Sequence, residues 1–527
     1  MSYQARHRRI PLARAAAAIM AGAAGTAGAA GTPAAGRGAA RTAPRIHPAT
    51  LLLLAGVTAM AAALTRFALH AAEPSFLARM YDLGIYRDGG LIVRHAYHFR
   101  SGRPTPLYDW VSPGGGNPFT YPPFAAGVFA VMSFLPLLAL QWGMTGLSLA
   151  ALAAAVWLGL DAAGLARGAA RASAARAGCA LLACAAALWT HPVQSDLGLG
   201  QVNLLLVAAI MWDLSAGTPG RGTAGGTRWR AGALTGVAAG IKLTPLIFLP
   251  YLLLTRRFRQ AGMAAAAFVL TVAAGFAAMP GASAAYWRSG LFDRANGTPK
   301  ANVEFFFASA WNQSLRGLLS RYLQHAQVAA IPWVIAAVLT LVLGLAAATW
   351  LDKDGYRTLG VLTCALTGLL VSPVSWLHHW VWIAPWLAAL TALALRSRGA
   401  ARWRWAGLAA LAWLIFAAGP SLAPLTGSQR ALDVITDVPM KQPLSWHGID
   451  VLTGNAYVLA GLAGLLALFG WGVARAFAHP SKARLAGSEP VTSSTATPEP
   501  ADGDQPGPEP AGPEPAGPIA VSPPSGG

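Results

Sequence analysis

Long apolar stretches, divided by short polar breaks, occupy most of this chain. A helix needs about 20 apolar residues to cross a bilayer, because the hydrocarbon core is about 30 Å thick. Stretches that approach this length are 49–71, 121–139, 142–163, 177–192, 200–216, 231–254, 261–279, 326–350, 359–375, 376–395, 405–423 and 453–476. The pattern predicts an all-α, polytopic integral membrane protein with about 12 transmembrane or re-entrant helices.

Basic residues beside these stretches set the expected orientation. Clusters of arginine and lysine usually stay in the cytoplasm. Such clusters lie at 1–48, 256–259, 396–404 and 475–482. Both termini are therefore expected in the cytoplasm, and the large loops outside are 72–120, 280–325 and 424–452. The basic segments 167–176 and 221–230 fit this count poorly, so some short segments are expected not to cross fully.

Composition agrees with a membrane location. The chain of 527 residues is 55% hydrophobic and 11% charged, which is too apolar for a soluble protein of this size. Its net charge of +19 lies mainly beside the apolar stretches, so membrane lipid rather than nucleic acid is the expected partner. The three cysteines fall in apolar stretches and imply no disulfide framework.

Three regions differ in composition. Residues 1–48 are rich in alanine, glycine and arginine, which predicts a disordered basic cytoplasmic leader. Residues 49–476 form the membrane domain. Residues 477–527 are rich in proline, glutamate and glycine, which predicts a disordered tail.

One apolar stretch, 232–254, carries Lys242 and Pro245 near its middle. Proline interrupts a helix, and a lysine at membrane depth costs about 2.5–3.5 kcal/mol unless it meets water or an anion. The stretch is therefore predicted to form two half-helices. Lys242 is either a functional cation or a lysine in a structural ion pair or reaching toward the interface.

The first outward loop concentrates groups that can do chemistry. On a helix, Asp82 and Tyr86 share a face because they are four residues apart, whereas Asp88 points roughly the other way. The same carboxylates also have ordinary structural explanations, with Asp82 as a helix cap and Asp109 as a turn residue.

Three further breaks place hydrogen-bonding groups at membrane boundaries: 191–203, 311–316 and 372–380. The adjacent His378 and His379 have tryptophans around them and also suit an interface. They lie about 100° apart on a helix with no third ligand nearby, so neither a metal nor a cofactor is expected.

Taken in order, these motifs resemble glycosyltransferase family 87. They are Asp82-Leu83-x-x-Tyr86, Leu107-Tyr108-Asp109, Tyr121-Pro122-Pro123-Phe124, Gly200-Gln201-Val202-Asn203, Lys242-Leu243-Thr244-Pro245, Asn312-Gln313-Ser314-Leu315 and Ser372-Pro373-Val374-Ser375-Trp376-x-His378-His379. The resemblance implies a GT-C-type fold with large extracytoplasmic loops. It also implies a polyprenol-phosphate-mannose-dependent mannosyltransferase in a bacterial plasma membrane.

Such an enzyme would move a hexose, mannose by resemblance, from a polyprenyl-phosphate donor to a glycolipid or cell-envelope glycan acceptor outside the membrane, with inversion. The absence of a glycine-rich phosphate loop from the sequence agrees with a lipid-linked donor.

The resemblance also implies roles for individual residues. Asp82 matches the acidic residue of the first outward loop and is expected to be the general base, with Asp88 as the first alternative and Asp109 as a further one. His378 or His379 is expected to contact donor phosphate or acceptor sugar, and Lys242 the phosphate. The further expected substrate contacts are Tyr86, Asp88, Gln201, Asn203, Asn312 and Gln313. For the four amides among them, a structural role is the competing explanation.

A multi-pass transporter or lipid flippase is the alternative function, with the same charged groups along a transport pathway. The two halves of the chain show no repeat of the kind that many transporters have. A scaffold acting through the proline-rich tail leaves the polar breaks unexplained.

Overall fold

The computed structural model describes residues 47–71, 80–94, 106–112, 117–163, 170–215, 231–288, 307–323, 326–419 and 449–478. Across these ranges the chain is helical, with isolated β-bridges only at Val111–Pro118 and Asn312–Trp376. The all-α prediction is confirmed for this part of the chain. Most of the predicted leader and tail, and the segment 221–230, lie outside the described residues.

The α-helices are α1 (Pro48–Ala71), α2 (Tyr81–Val93), α3 (Pro123–Met132), α4 (Leu137–Gly159), α5 (Ala170–Leu188), α6 (His191–Leu199), α7 (Asn203–Ser215), α8 (Ala233–Ile241), α9 (Phe248–Leu254), α10 (Phe258–Ala278), α11 (Pro280–Arg288), α12 (Leu315–Leu323), α13 (Ala326–Lys353), α14 (Arg357–Val371), α15 (Ile383–Arg396), α16 (Gly399–Ala418), α17 (Ile449–Thr453) and α18 (Ala456–Ala478). Short 3₁₀ helices cover Leu160–Ala163, Thr244–Ile247 and Leu377–Trp382.

Five of the described helical segments are long and apolar enough to cross a membrane. They are Pro48–Leu69, Leu137–Ala162, Phe258–Ala278, Val328–Lys353 and Ala456–Arg475. A sixth candidate joins Ser173–Leu188 to His191–Leu199 through a bend of 72°. These segments indicate an integral membrane protein, but they do not confirm the predicted count of about 12. Several predicted spans form shorter helices, such as α7 and α14.

The described residues divide into two compact units. The first draws on the described residues within 1–83, 137–208 and 383–417. In it, α1 packs closely on α5. A Cβ atom at Gly56 would lie 2.6 Å from the carbonyl oxygen of Gly178, so only glycine permits this approach.

An ion pair also stabilises the first unit. The Arg176 guanidinium, 3% exposed, donates to Asp161 Oδ1 at 2.7 Å and to the carbonyl of Trp157 at 2.9 Å. Within the basic segment 167–176, Arg176 therefore neutralises a carboxylate.

The second unit draws on the described residues within 84–136, 209–382 and 418–527. Its helices α13 and α14 pack along each other, and α18 packs on both of them. Helix α8 packs on α10. At one end of α13, Asp352 accepts hydrogen bonds from Arg257 and Arg357.

The predicted break in 232–254 is confirmed. Helix α8 ends at Ile241, a 3₁₀ turn containing Pro245 follows, and α9 begins at Phe248. Lys242 is extended, with φ −145°, and so lies at the end of a half-helix, not inside a continuous one.

Candidate functional site

Asp82 lies in the first turn of α2 and is partly buried. The side-chain amide of Gln201 donates a hydrogen bond from Nε2 to Asp82 Oδ2 at 2.5 Å. Two of the predicted site residues, separated by 119 positions in sequence, are therefore in direct contact within the first unit.

Gly200 explains why Gln201 reaches the first turn of α2. It ends α6 in the left-handed conformation, with φ 68°, which glycine adopts without strain. A Cβ atom at this position would also lie 2.7 Å from Cβ of Leu83, the residue after Asp82. Glycine thus allows both the turn and the close packing.

Asn203 extends the contact to a second carboxylate. Its Nδ2 donates to Asp196 Oδ1 at 2.9 Å and to Gln201 Oε1 at 3.3 Å. Asp196 is fully buried. The sequence placed Asp196 in a polar break but assigned it no role. Its place in the same polar break as Gln201 and Asn203 did not single it out.

A cation and an imidazole meet in the second unit. Lys242 Nζ lies 3.0 Å from His379 Nε2. A lysine ammonium can only donate, so Nε2 must be the unprotonated, accepting nitrogen of a neutral ring. His379 therefore faces Lys242.

His378 has a different environment. Its side chain is 8% exposed, and its ring meets the ring of His379 edge to face at 4.8 Å. The two histidines follow the turn 372–376 and lie in a 3₁₀ helix, not in an α-helical span as the apolar stretch 376–395 suggested. Pro373 precedes them, and proline disfavours a continuous α-helix there.

Aromatic side chains lie against Lys242. The Tyr121 ring is 5.8 Å from Lys242 Nζ, a cation–π distance. The hydroxyl groups of Tyr121 and Tyr86 form a hydrogen bond of 2.7 Å, and the Tyr86 ring stacks on the Phe129 ring. Tyr108 donates its hydroxyl to the carbonyl of Tyr121 at 2.9 Å. Tyr86 is 1% exposed, so it supports Tyr121 within this cluster.

Asn312 and Gln313 brace the turn that precedes the histidines. The Asn312 side chain accepts from the Ser375 N–H at 2.9 Å and donates to the Pro373 carbonyl at 3.2 Å. Gln313 donates its backbone N–H to the Ser375 carbonyl and its side chain to the Gly454 carbonyl. Both residues are fully buried.

The alternative carboxylates lie apart from these contacts. Asp88 is partly buried, and burial raises the pKa of its carboxyl while the nearby Arg87 charge opposes the shift. Asp109 is exposed, and its N–H donates to the Pro106 carbonyl, which confirms the predicted turn. The expectation that Asp82 shares a pocket with Lys242, His378 and His379 stays a prediction.

Comparison with known proteins supports the family resemblance. The sequence profile of glycosyltransferase family 87 matches residues 119–373. A phosphatidylinositol pentamannoside mannosyltransferase of Mycobacterium tuberculosis (strain CDC 1551 / Oshkosh), named as polyprenol-phosphate-mannose-dependent and alpha-(1-2), is 34% identical over 359 residues. That alignment covers 66% of this chain and 75% of the relative.

Two further relatives carry similar names. The pentamannoside enzyme of Mycolicibacterium smegmatis is 34% identical, over 60% of this chain and 74% of its own length. A polyprenol-phosphate-mannose-dependent alpha-(1-2)-phosphatidylinositol mannoside mannosyltransferase of M. tuberculosis (strain ATCC 25618 / H37Rv) is 34% identical, over 61% and 72%. No solved structure gives a significant match. The chain belongs to glycosyltransferase family 87.

Proposed function

We propose that this chain transfers mannose from a polyprenyl-phosphate carrier to a phosphatidylinositol-mannoside glycolipid in the bacterial plasma membrane. Family membership and the names of the relatives support this donor and this class of acceptor. They disfavour a transporter. The observation that carries the proposal at the level of residues is the Asp82 carboxylate, which receives a hydrogen bond from Gln201.

The proposed location is the outer side of the membrane. The basic flanks of the apolar stretches support cytoplasmic termini and outward loops at 72–120 and 280–325. The proposed architecture is a GT-C-type membrane domain over residues 49–476, with about 12 transmembrane or re-entrant segments. A basic leader would precede it and a proline-rich tail would follow.

The proposed reaction is an in-line displacement at the anomeric carbon. An acceptor hydroxyl forms the new C–O bond while the bond from that carbon to the phosphate oxygen breaks. The electron pair stays on the departing polyprenyl phosphate, and the hydroxyl proton passes to a base. A β-linked donor thus gives an α-linked product.

We assign the role of general base to Asp82. A base must be ionised to accept the proton, and a hydrogen bond from an amide stabilises the ionised form of a carboxylate. Asp88 is the weaker candidate, because Asp82 and not Asp88 matches the acidic residue of the family motif.

Lys242 is assigned to the donor phosphate. Its ammonium would stabilise negative charge that grows on the departing oxygen. His379 would orient it by accepting one of its hydrogen bonds. His378, Tyr86, Asn312 and Gln313 would then support this cation through the rings and the turn around it, and Gln201 and Asn203 would support Asp82.

Product analysis tests the proposed function. Membranes from cells that express the chain are incubated with labelled polyprenyl-phosphate mannose and phosphatidylinositol mannosides. The expected product is a glycolipid with one additional mannose, and an α-mannosidase should remove that labelled mannose. Membranes without the chain serve as the control. A labelled product equal in both samples, or one resistant to the α-mannosidase, contradicts the proposal.

A further inference from the structure

An amide chain leads from Asp82 to a second, buried carboxylate within the first unit. We define the amide chain as Gln201, Asn203 and Asp196. Gln201 joins Asp82 to Asn203, and Asn203 joins Gln201 to Asp196. The backbone N–H of Gln201 also donates to the carbonyl of Asp196 at 2.9 Å. The three residues are at most 6% exposed, so solvent does not compete strongly for these bonds.

The direction of every hydrogen bond in the amide chain follows from Asp196. A carboxylate only accepts, so Asp196 holds the NH₂ group of Asn203. That NH₂ group meets the carbonyl oxygen of the Gln201 amide. Gln201 therefore turns its own NH₂ group toward Asp82. With the reverse amide orientation, Gln201 would present an oxygen to the Asp82 carboxylate, and the two would repel each other.

We propose that Gln201 is a positioning residue for Asp82 and that Asn203 and Asp196 fix the direction of its amide. The proposal rests on the proposed role of Asp82 as general base. It replaces sugar contact by Gln201 and Asn203 with hydrogen bonding to the base. It also gives a role to Asp196, which the sequence left unassigned.

A double substitution separates positioning from mere structural support. Asp196→Asn together with Asn203→Asp exchanges the carboxylate and the amide and keeps the buried charge. The pair stays hydrogen-bonded, so the protein is expected to fold. The carboxylate at position 203 now accepts from Gln201, however, and turns the Gln201 oxygen toward Asp82. If Asp196 and Asn203 only support the fold, the double variant should keep wild-type activity. If they orient the Gln201 amide, the double variant should lose activity.

The experiment measures kcat, the KM for labelled polyprenyl-phosphate mannose, and thermal unfolding of the full chain in detergent. We expect the double variant to lose about 10- to 100-fold in kcat, the effect of losing a hydrogen bond to a charged group. Gln201→Glu should lose at least as much, because it also sets a second carboxylate against Asp82. The donor KM and the unfolding midpoint of the double variant should stay close to wild type. Gln194→Ala is the control: it removes an exposed side chain of α6 and its hydrogen bond to the Leu188 carbonyl, and it should keep wild-type kcat.

Wild-type kcat in the double variant or in Gln201→Glu overturns the positioning role. Asp82→Asn distinguishes this failure from a failure of the proposed function. If Asp82→Asn is inactive while Gln201→Glu is fully active, Asp82 remains the base and only the positioning role is lost. If Asp82→Asn is itself fully active, the assignment of the base fails and the positioning role fails with it.

Discussion

Lys242 Nζ and His379 Nε2 lie 3.0 Å apart, although 137 positions separate the two residues in sequence. The bond requires a neutral imidazole with its accepting nitrogen toward the lysine. It also gives the lysine a fixed direction at the end of the half-helix α8. The two motifs that carry these residues, Lys-Leu-Thr-Pro and the paired histidines, thus form one contact in the second unit.

Replacing His379 tests whether its accepting nitrogen orients Lys242 for catalysis. His379→Leu removes the accepting nitrogen, and we expect kcat/KM for the lipid-linked donor to fall by about 10-fold or more, the effect of losing a hydrogen bond to a charged group. His379→Gln keeps an acceptor in its amide oxygen and should retain more activity than His379→Leu. Initial rates over a range of donor concentrations give kcat/KM for each variant and for wild type. Equal activity in His379→Leu and wild type contradicts the orienting role.

Replacing Lys242 tests the proposed contact with the departing phosphate. Lys242→Met removes the charge and keeps much of the side-chain length. We expect kcat to fall by about 100- to 1,000-fold, as when a group that stabilises transition-state charge is lost. Lys242→Arg keeps the charge and should recover part of this loss. A kcat for Lys242→Met close to wild type, in protein that expresses normally, excludes the role.

Replacing Asn312 tests the brace under the histidine turn. Asn312→Ala leaves the Ser375 N–H and the Pro373 carbonyl without this partner in a buried site, which should cost about 1–3 kcal/mol of folding stability. Thermal or denaturant unfolding in detergent measures the change. Asn117→Ala, at an exposed position, is the control and should cause little change. An unfolding midpoint equal to wild type in Asn312→Ala shows that the brace is dispensable.

The helical framework was predictable because apolar length and proline act locally. The broken stretch 232–254 followed from Pro245 and a charge at depth, and the structure confirms it. The stretch 376–395 was read as one span, but its first part is a 3₁₀ helix. Hydropathy records the apolar character of those residues and carries no information on the backbone angles that Pro373 and the turn impose.

Contacts between distant segments were less accessible to sequence reasoning. Motif order indicated that Asp82, Gln201, Lys242 and His379 matter, but not which of them touch. His378 and His379 are neighbours, so no periodicity distinguishes the one that meets Lys242. Asp196 was missed because a buried carboxylate beside a polar turn looks the same in sequence as an exposed one. Only the hydrogen bond with Asn203 reveals it.

Transfer by Asp82→Asn from labelled polyprenyl-phosphate mannose tests the central claim most directly. The substitution keeps the shape of the side chain and removes its capacity to accept a proton. We predict that transfer falls by about 100- to 10,000-fold, the usual contribution of a general base, with expression and the unfolding midpoint retained. Asp354→Asn, at an exposed ion pair with Arg475, should transfer at the wild-type rate. Transfer by Asp82→Asn at the rate of Asp354→Asn would contradict the account.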